Sequence, residues 1–285
     1  MKTNISLIKK IMLSVLLVVV VIGCQEMDRP ALGDYPKDAN APGGPLKFYV
    51  PFDGTSTNPL LWGVDQILAN FPKENALTTT AGISGNGVQG ANKKFITYSK
   101  PNDWLSTAKG FTVSFWFKLN GQTKNNAGTN GTEYIFSIPS TNGHWSGGQG
   151  MLFFETNNVG TQIKFPVVAK DMSDTWFVWE GNNAIPGIAD NTWRHCALVY
   201  DAATSKMTLY LNGVANANVA SWGGHGNINM DNSTAKSFLI GCGPGTNYDS
   251  DDWLSSTWKG GLDQFRLYGT ALTASEVNDL YTKKM

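Results

Sequence analysis

Short segments in which apolar and polar residues alternate, separated by turn residues, constrain the fold of this 285-residue chain more than any other feature. In FTVSFWFKL, residues 111–119, every second side chain from Phe111 to Leu119 is large and apolar. Alternate residues of a strand share one face, so this pattern indicates a strand with one apolar side. Similar segments are LKFYVPF, EYIFSI, GMLFFET, QIKFPVVAK, WRHCALVYD, KMTLYLNG, SFLIGCG and GGLDQFRLYG. The sequence therefore predicts an all-β fold, an antiparallel β-sandwich jelly roll.

A short C-terminal helix is predicted in LTASEVNDLY. Thr273 stands three residues before Glu276, the spacing at which each side chain can cap the other residue's backbone N–H. Val277, Leu280 and Tyr281 then fall on one face of the helix, which we expect to pack against the sandwich.

The N-terminus has the organisation of an export signal. Three lysines precede the apolar run of residues 11–22, which is too short to span a bilayer comfortably. The run ends in VIGC, which resembles a bacterial lipobox and implies cleavage before Cys24 and lipidation of that residue. Several acyl chains on one cysteine make a lasting membrane anchor. The alternative is an ordinary signal peptide that is followed by a cysteine by chance.

The chain divides into a signal peptide (residues 1–23), a polar tether rich in Pro and Gly (residues 24–45) and one domain (residues 46–285). CQEMD at the start of the tether resembles the acidic export signals of surface lipoproteins in Bacteroidota, which implies an outer-membrane lipoprotein on the cell surface or the periplasmic face. Loss of the three lysines in residues 1–23 leaves 19 basic against 22 acidic residues, a formal charge of −3. The net charge of the whole chain is +0, which gives no electrostatic case for nucleic acid as a partner.

Four motifs appear in a fixed order along the domain: GFTVSFWFKL, NTWRHCALVYDAATSKMTLYLNGV, FLIG and WKGGLDQFRLYGTALTASEVNDLY. Together they resemble the laminin-G-like, concanavalin A-like jelly roll over about residues 46–281. The resemblance implies the fold and leaves the function open. This fold carries lectins, adhesion modules, sugar-binding domains attached to enzymes and some glycanases.

Tryptophans in glycine-rich loops are the candidate ligand-binding residues. Trp145, Trp222 and Trp253 lie in TNGHWSGGQG, ASWGGHG and DSDDWLSS, with His144, His225 and Asp252 as polar neighbours. The C–H face of a pyranose packs on an indole, and clustered exposed aromatics usually mark a binding surface. The alternative is that each ring is a lid over one end of the sandwich. Trp176 and Trp179 stand at the two ends of WFVW, and Trp116 either lines the concave sheet or lies beneath a loop.

Catalytic residues are harder to identify. Retaining glycanases of this fold carry paired glutamates on one strand. FFETNN contains Glu155 alone, and in LDQF a glutamine, Gln264, follows Asp263, so neither segment supplies a pair of carboxylates. No Gly-x-Ser-x-Gly motif is present. No catalytic residue is therefore assigned, and a divergent concanavalin A-like glycoside hydrolase is an alternative function.

The resemblance also implies a structural calcium near Asp53 of FDG and Asp263 of GGLDQF. The alternative is that Asp53 makes a turn and Asp263 caps a strand edge. A second, weaker candidate for calcium is the cluster formed by Asp249, Asp251 and Asp252.

The two cysteines of the domain, Cys196 and Cys242, are either bridged or buried as free thiols. His195 and Cys196 look like a site, but adjacent strand residues point to opposite faces. We therefore interpret the pair as scaffold, with a hydrogen-bond partner required for a buried His195.

These observations predict a membrane-anchored, lectin-like lipoprotein whose ligand is an oligo- or polysaccharide. A protein-binding adhesion module is a further alternative. A partner complex for transport across the outer membrane would suit a surface glycan-binding protein.

Overall fold

Two antiparallel sheets form the body of this computed structural model, which describes residues 44–53, 77–98, 100–101, 103–120, 131–247 and 252–284. No helix within these ranges is long and apolar enough to cross a membrane. The strands are β1 Leu46–Val50, β2 Thr78–Ala81, β3 Asn86–Gln89, β4 Ile96–Tyr98, β5 Phe111–Lys118, β6 Glu133–Pro139, β7 Gly148–Thr156, β8 Thr161–Val168, β9 Asp174–Trp179, β10 Arg194–Asp201, β11 Lys206–Leu211, β12 Val214–Ser221, β13 Phe238–Ile240 and β14 Gly261–Tyr268. The helices are α1 Trp104–Thr107 and α2 Ala274–Lys283, and short 3-10 turns cover Gly181–Asn183 and Trp253–Ser255.

The strand order crosses between neighbours that are far apart in sequence, as in a jelly roll. One sheet runs β12-β11-β10-β5-β14-β3-β2, with β1 also paired to β14, and is called the eight-stranded sheet. The other runs β4-β13-β6-β7-β8-β9 and is called the six-stranded sheet. Every pairing between these strands is antiparallel, so the predicted all-β sandwich is confirmed.

Aromatic side chains from the two inner faces meet in the core. Phe117 of β5 meets Phe154 of β7 with ring centroids 5.2 Å apart. Phe265 of β14 meets Phe136 of β6 at 5.5 Å, and both contacts are edge-to-face. Burying each such ring stabilises the fold by about 1.5–3 kcal/mol. The apolar face predicted for β5 is therefore its core face.

The C-terminal helix α2 covers the outer face of the eight-stranded sheet. The capping box is formed as predicted: the Thr273 backbone N–H donates to Glu276 Oε2 at 2.7 Å, and the Glu276 N–H donates to Thr273 Oγ1 at 3.3 Å. Val277 packs in a buried cluster with Ala197 and Val199 of β10. Trp116 also lies on this face. It stacks on Tyr281 of α2 at 5.7 Å, so its cover is the helix and not the loop or concave surface that the sequence suggested.

His195 and Cys196 point to opposite sides of β10, as the alternation predicted. Cys196 lies in the main core with Leu198 and Tyr200. His195 faces the α2 side, where its Nε2 lies 2.9 Å from Ser114 Oγ and its ring contacts Trp116. This serine is the hydrogen-bond partner that could not be named from the sequence.

The two cysteines of the domain are buried free thiols, so the disulfide alternative is not what the structure shows. Cys196 belongs to the eight-stranded sheet, and Cys242 follows β13 of the six-stranded sheet. Packed sheets lie about 10 Å apart, which exceeds the Cα separation of about 7 Å that a disulfide spans. Burial raises the pKa of both thiols and keeps them protonated.

Burial of His195 predicts a loss of stability in acid. Burial, followed by the charge of Arg266, lowers the pKa of His195 to about 3. Below pH 6.5 the unfolded histidine takes up a proton that the folded one excludes. The free energy of unfolding should therefore fall by about 1.4 kcal/mol per pH unit between about pH 6 and pH 3.

The measurement is urea unfolding of the wild type and His195→Gln at several pH values from 7 to 4. Other groups that titrate in this range affect both proteins alike. We expect the wild type to lose stability relative to the variant as the pH falls. Parallel pH profiles for the two proteins would contradict the assignment.

Candidate functional site

Three tryptophans lie side by side on the outer face of the six-stranded sheet. Trp145 is 61% exposed, and Trp176 and Trp253 are each 37% exposed. The ring centroids are separated by 6.4 Å for Trp145 and Trp176, 6.3 Å for Trp145 and Trp253, and 6.5 Å for Trp176 and Trp253. We call these three residues the tryptophan patch. Single exposed aromatics are common, but three in contact form an unusual surface.

Each indole of the tryptophan patch is placed by a different local structure. Trp176 is an outward residue of β9, whose neighbours Phe177 and Trp179 point into the core. Trp145 lies on the turn between β6 and β7, which is closed by the Gly147 N–H donating to the His144 carbonyl at 2.9 Å. Trp253 begins a 3-10 turn whose first N–H groups are capped by Asp252. The patch therefore joins two ordered turns to a strand.

A buried apolar floor supports the tryptophan patch. Tyr134, Met151 and Phe153 form a small cluster on the outer face of β6 and β7, apart from the main core. Phe153 contacts Trp253 at 5.8 Å and Trp176 at 6.0 Å between ring centroids. The Tyr134 ring lies 6.3 Å from Trp253 and nearly parallel to it. Because the floor is buried, the exposed indoles rest on side chains that are already packed.

Polar groups with ordered partners border the tryptophan patch. Lys164 Nζ lies 2.8 Å from Glu155 Oε2 and 3.1 Å from Glu180 Oε2. His144 Nε2 lies 3.6 Å from Asp174 Oδ2, and its Nδ1 lies 2.8 Å from Ser146 Oγ. The border thus presents hydrogen-bond donors and acceptors beside apolar faces.

The structure brings together four of the six residues predicted as ligand-binding. Trp145, Trp253, His144 and Asp252 belong to the patch or its border. Trp222 and His225 form a separate pair, stacked at 3.6 Å with ring planes 4° apart. Trp222 packs edge-on against Phe177, an inward residue of β9, and partly against the main core.

Sequence reasoning did not assign Trp176, Phe153 or Tyr134 to the site. The alternation in DTWFVW could have separated Trp176 from Trp179, because residues two apart share a face. Phe153 and Tyr134 lie in strands that are apolar on both sides, so alternation does not show which residues face outward.

A cleft of about 320 Å³ opens beside the turn that carries Trp145. Its lining includes Thr97 of β4, Leu239 of β13, Ser140 and Gly147 of the Trp145 turn, and the segment 244–246. Hydroxyls and apolar side chains share this lining, and the volume lies at the lower end of the range for small-molecule sites.

The two aspartates predicted near calcium lie close to one turn. Asp53 Oδ1 accepts from the Asn86 N–H at 2.6 Å, and Asp263 Oδ2 accepts from the Ile83 N–H at 2.7 Å. The second oxygen of Asp263, Oδ1, is buried without a hydrogen-bond partner. Burial, with the nearby charge of Asp53, raises the pKa of Asp263 to about 7. Gly85 has φ +66° and directly abuts the Asp53 carboxylate, where a Cβ would not fit.

These residues fit a hard cation. The orphaned oxygen and the repulsion between the two carboxylates would both be relieved by a bound Ca²⁺. No group of three or more His, Cys, Asp or Glu side chains suited to a metal is found in the part of the chain that the structure describes. Backbone carbonyls or water would therefore complete the ligand set. Cys24, Asp249 and Asp251 lie outside the described residues.

Several solved structures share this fold. The binding domain of Paraclostridial Mosquitocidal Protein 1 matches 84% of this chain and 52% of its own, with 16% identity and a TM-score of 0.54. The botulinum neurotoxin serotype G binding domain matches 84% of this chain and 51% of its own, with 15% identity and a TM-score of 0.52. The chain thus spans about half the length of these two toxin domains.

Another match is domain 4 of AbnA, an extracellular arabinanase from Geobacillus stearothermophilus, in complex with arabinotriose. It covers 83% of this chain and 98% of its own, with 20% identity and a TM-score of 0.50. At these identities the likeness shows the fold alone.

Comparison with curated protein sequences gave no significant match.

A family model covers most of the domain. The model described as Laminin_G_3, concanavalin A-like lectin/glucanases superfamily, matches residues 91–278, more than half of the chain. This span runs from just after β3 into α2 and contains all three indoles of the tryptophan patch. The chain therefore belongs to the Laminin_G_3 family of concanavalin A-like lectins and glucanases.

Proposed function

We propose that this protein binds a carbohydrate and that the tryptophan patch is its binding surface. The observation that carries the proposal is the contact of three exposed indoles, Trp145, Trp176 and Trp253, on a buried aromatic floor. Large exposed aromatics that cluster in this way usually mark a surface that a ligand covers. A sugar ring suits them because it has an apolar C–H face and a polar edge.

The patch would contact the apolar faces of the sugar, and its border would contact the sugar hydroxyls. Sugar C–H faces would pack on the indoles and remove apolar surface from water, which stabilises the complex by about 25 cal/mol per Å². The sugar hydroxyls would meet Lys164, Glu155 and Glu180 on one side and His144 and Asp174 on the other. Since the floor is packed before the ligand arrives, little ordering free energy is lost on binding.

The comparisons support this class of ligand at the level of the fold. The arabinanase domain of the same fold was solved with arabinotriose. The identity of the sugar does not transfer at 20% sequence identity, but the family contains lectins as well as glucanases.

The ion pairs at the border favour binding over hydrolysis. A glycoside hydrolase needs one carboxylic acid that donates a proton and a second carboxylate at a fixed separation. Glu155 and Glu180 both contact the Lys164 ammonium, so each carboxylate is already engaged in an ion pair. Neither side chain is therefore arranged as a proton donor. A protein-binding adhesion role would not supply the sugar hydroxyls that match the hydrogen-bonding groups of the border.

The proposal includes export and a lipid anchor at Cys24. The support comes from the sequence pattern in residues 1–24, which lie outside the described residues. A tether over residues 24–45 would hold the domain off an outer membrane, where a transport complex could receive the glycan.

We also propose that a calcium ion is bound by Asp53 and Asp263. The ion would neutralise two neighbouring carboxylates and link the segment after β1 to β14. Its role would be structural, because these aspartates belong to the eight-stranded sheet and its turns, whereas the tryptophan patch lies on the six-stranded sheet.

Truncation of a single indole of the patch should weaken glycan binding. We expect Trp145→Ala and Trp176→Ala each to weaken binding about tenfold or more, as is typical for aromatic anchors of an interface. The measurement is a glycan array followed by affinity gels with soluble polysaccharides. Trp222→Ala removes a loop tryptophan outside the patch and is the matched control, with thermal melting to confirm that each variant is folded.

Two outcomes would count against the lectin assignment. One is a blank array and blank gels for wild type and Trp145→Ala alike. The other is release of reducing ends from the polysaccharides by the wild type, which would favour the hydrolase.

Calcium should raise the thermal midpoint of the wild type. Because the ion binds only the folded state, we expect an increase of several degrees over the chelated protein. Asp263→Asn should lose this increase, whereas Asp171→Asn, a change at an exposed turn, should keep it. Equal wild-type midpoints with calcium and with chelator would argue that no structural ion is bound.

A further inference from the structure

Negative charge surrounds the tryptophan patch. Asp174 lies two residues before Trp176 on the same outward face of β9, about 7 Å away along the strand. Glu180 follows β9 on the same side, and Glu155 stands two residues after Phe153 on β7. Asp252 immediately precedes Trp253. Carboxylates thus reach the patch from both strands and from the 3-10 turn.

Positive charge within the named border of the patch is limited to Lys164 and His144, and both are already engaged. Lys236 lines the neighbouring cleft and is not part of this border. Lys164 lies directly across from Phe153 in the β7–β8 pairing, and its ammonium contacts both Glu155 and Glu180. His144 faces Asp174. Among these described border residues, four carboxylates against one ammonium leave a formal charge of −3 with His144 neutral, or −2 with His144 protonated.

The arginines of the chain are placed elsewhere. Arg194 of β10 forms an ion pair with Asp190. Arg266 of β14 lies 4.1 Å from the ring centroid of Tyr49. Both strands belong to the eight-stranded sheet, and Arg29 lies outside the described residues. The border of the patch therefore lacks, among described residues, the bidentate guanidinium that commonly recognises carboxylate and sulfate groups.

We infer that the patch selects glycans without acidic groups and discriminates against those that carry a carboxylate or a sulfate. This inference rests on the proposed function and names the class of its ligand. An acidic substituent on a sugar stacked against the indoles would lie within about one Debye length, roughly 10 Å, of the border carboxylates. To pair with it, Lys164 would have to release Glu155 or Glu180. The border carboxylates thus repel an acidic substituent, whereas the indoles attract the sugar ring. Such a combination of repulsion and attraction is a common source of binding specificity.

Matched pairs of glycans test the inference. The probes are neutral oligosaccharides and the same oligosaccharides carrying a sialic acid or a sulfate, together with hydroxyethylcellulose against carboxymethylcellulose. At low ionic strength we expect the neutral member of each pair to bind about five- to tenfold more tightly, the effect of two to three unit charges at this distance in water. Salt at about 1 M should narrow this ratio, because it screens the repulsion.

A charge variant identifies the source of the discrimination. Asp174→Asn combined with Glu180→Gln removes two negative charges from exposed side chains and should bring the ratio down to about two. Asp201→Asn combined with Asp279→Asn makes the same charge change at the end of β10 and on α2, on the side of the eight-stranded sheet, and should leave the ratio unchanged.

The results separate this inference from the function it rests on. Acidic members that bind as tightly as neutral ones, with binding lost in Trp145→Ala, would overturn the charge selectivity and leave the patch as the glycan site. Absence of binding to every member of every pair would overturn the proposed function itself.

Discussion

The packing of the aromatic inner faces of the two sheets determines the rest of the structure. Phe117 with Phe154, and Phe136 with Phe265, lock strands of one sheet to strands of the other. Because side chains alternate along a strand, fixing these residues inward also fixes which residues face outward. A shift of one residue in β9 would exchange Trp176 with Phe177 and would remove Trp176 from the tryptophan patch.

The two outer faces of the sandwich are covered to different extents. On the eight-stranded sheet, α2 covers Ala197 and Val199 through Val277, and Trp116 stacks on Tyr281. On the six-stranded sheet, turns bury the small cluster around Tyr134 and leave the tryptophan patch above it exposed. Exposed apolar faces are usually covered, and on the second face we propose that the cover is a ligand. The strands beneath the tryptophan patch make it rigid, and side chains at the strand ends give its border a negative charge.

Sequence patterns were sufficient where the physical signal is local. The alternation in β5 showed its core face, and the Thr273–Glu276 spacing showed the start of α2. The same alternation placed His195 and Cys196 on opposite sides, which excluded a joint site. Loop tryptophans with polar neighbours were visible as candidates, and two of them, Trp145 and Trp253, meet in the patch. The disulfide alternative depended on the separation of two strands, a quantity that sequence spacing does not contain. The export-type N-terminus stays a prediction.

The sequence alone therefore determined the fold class and the helix with its cap, and it marked the loop tryptophans and their polar neighbours as candidate ligand-binding residues. Only the tertiary structure decided which of those residues act together. Trp145, Trp176 and Trp253 come from three segments separated by tens of residues, and Trp222 went to a different partner, His225. The physical reason is that alternation and capping act between neighbours in the chain. The meeting of distant loops depends on strand order across the sheet, which is set by the packing of the whole core.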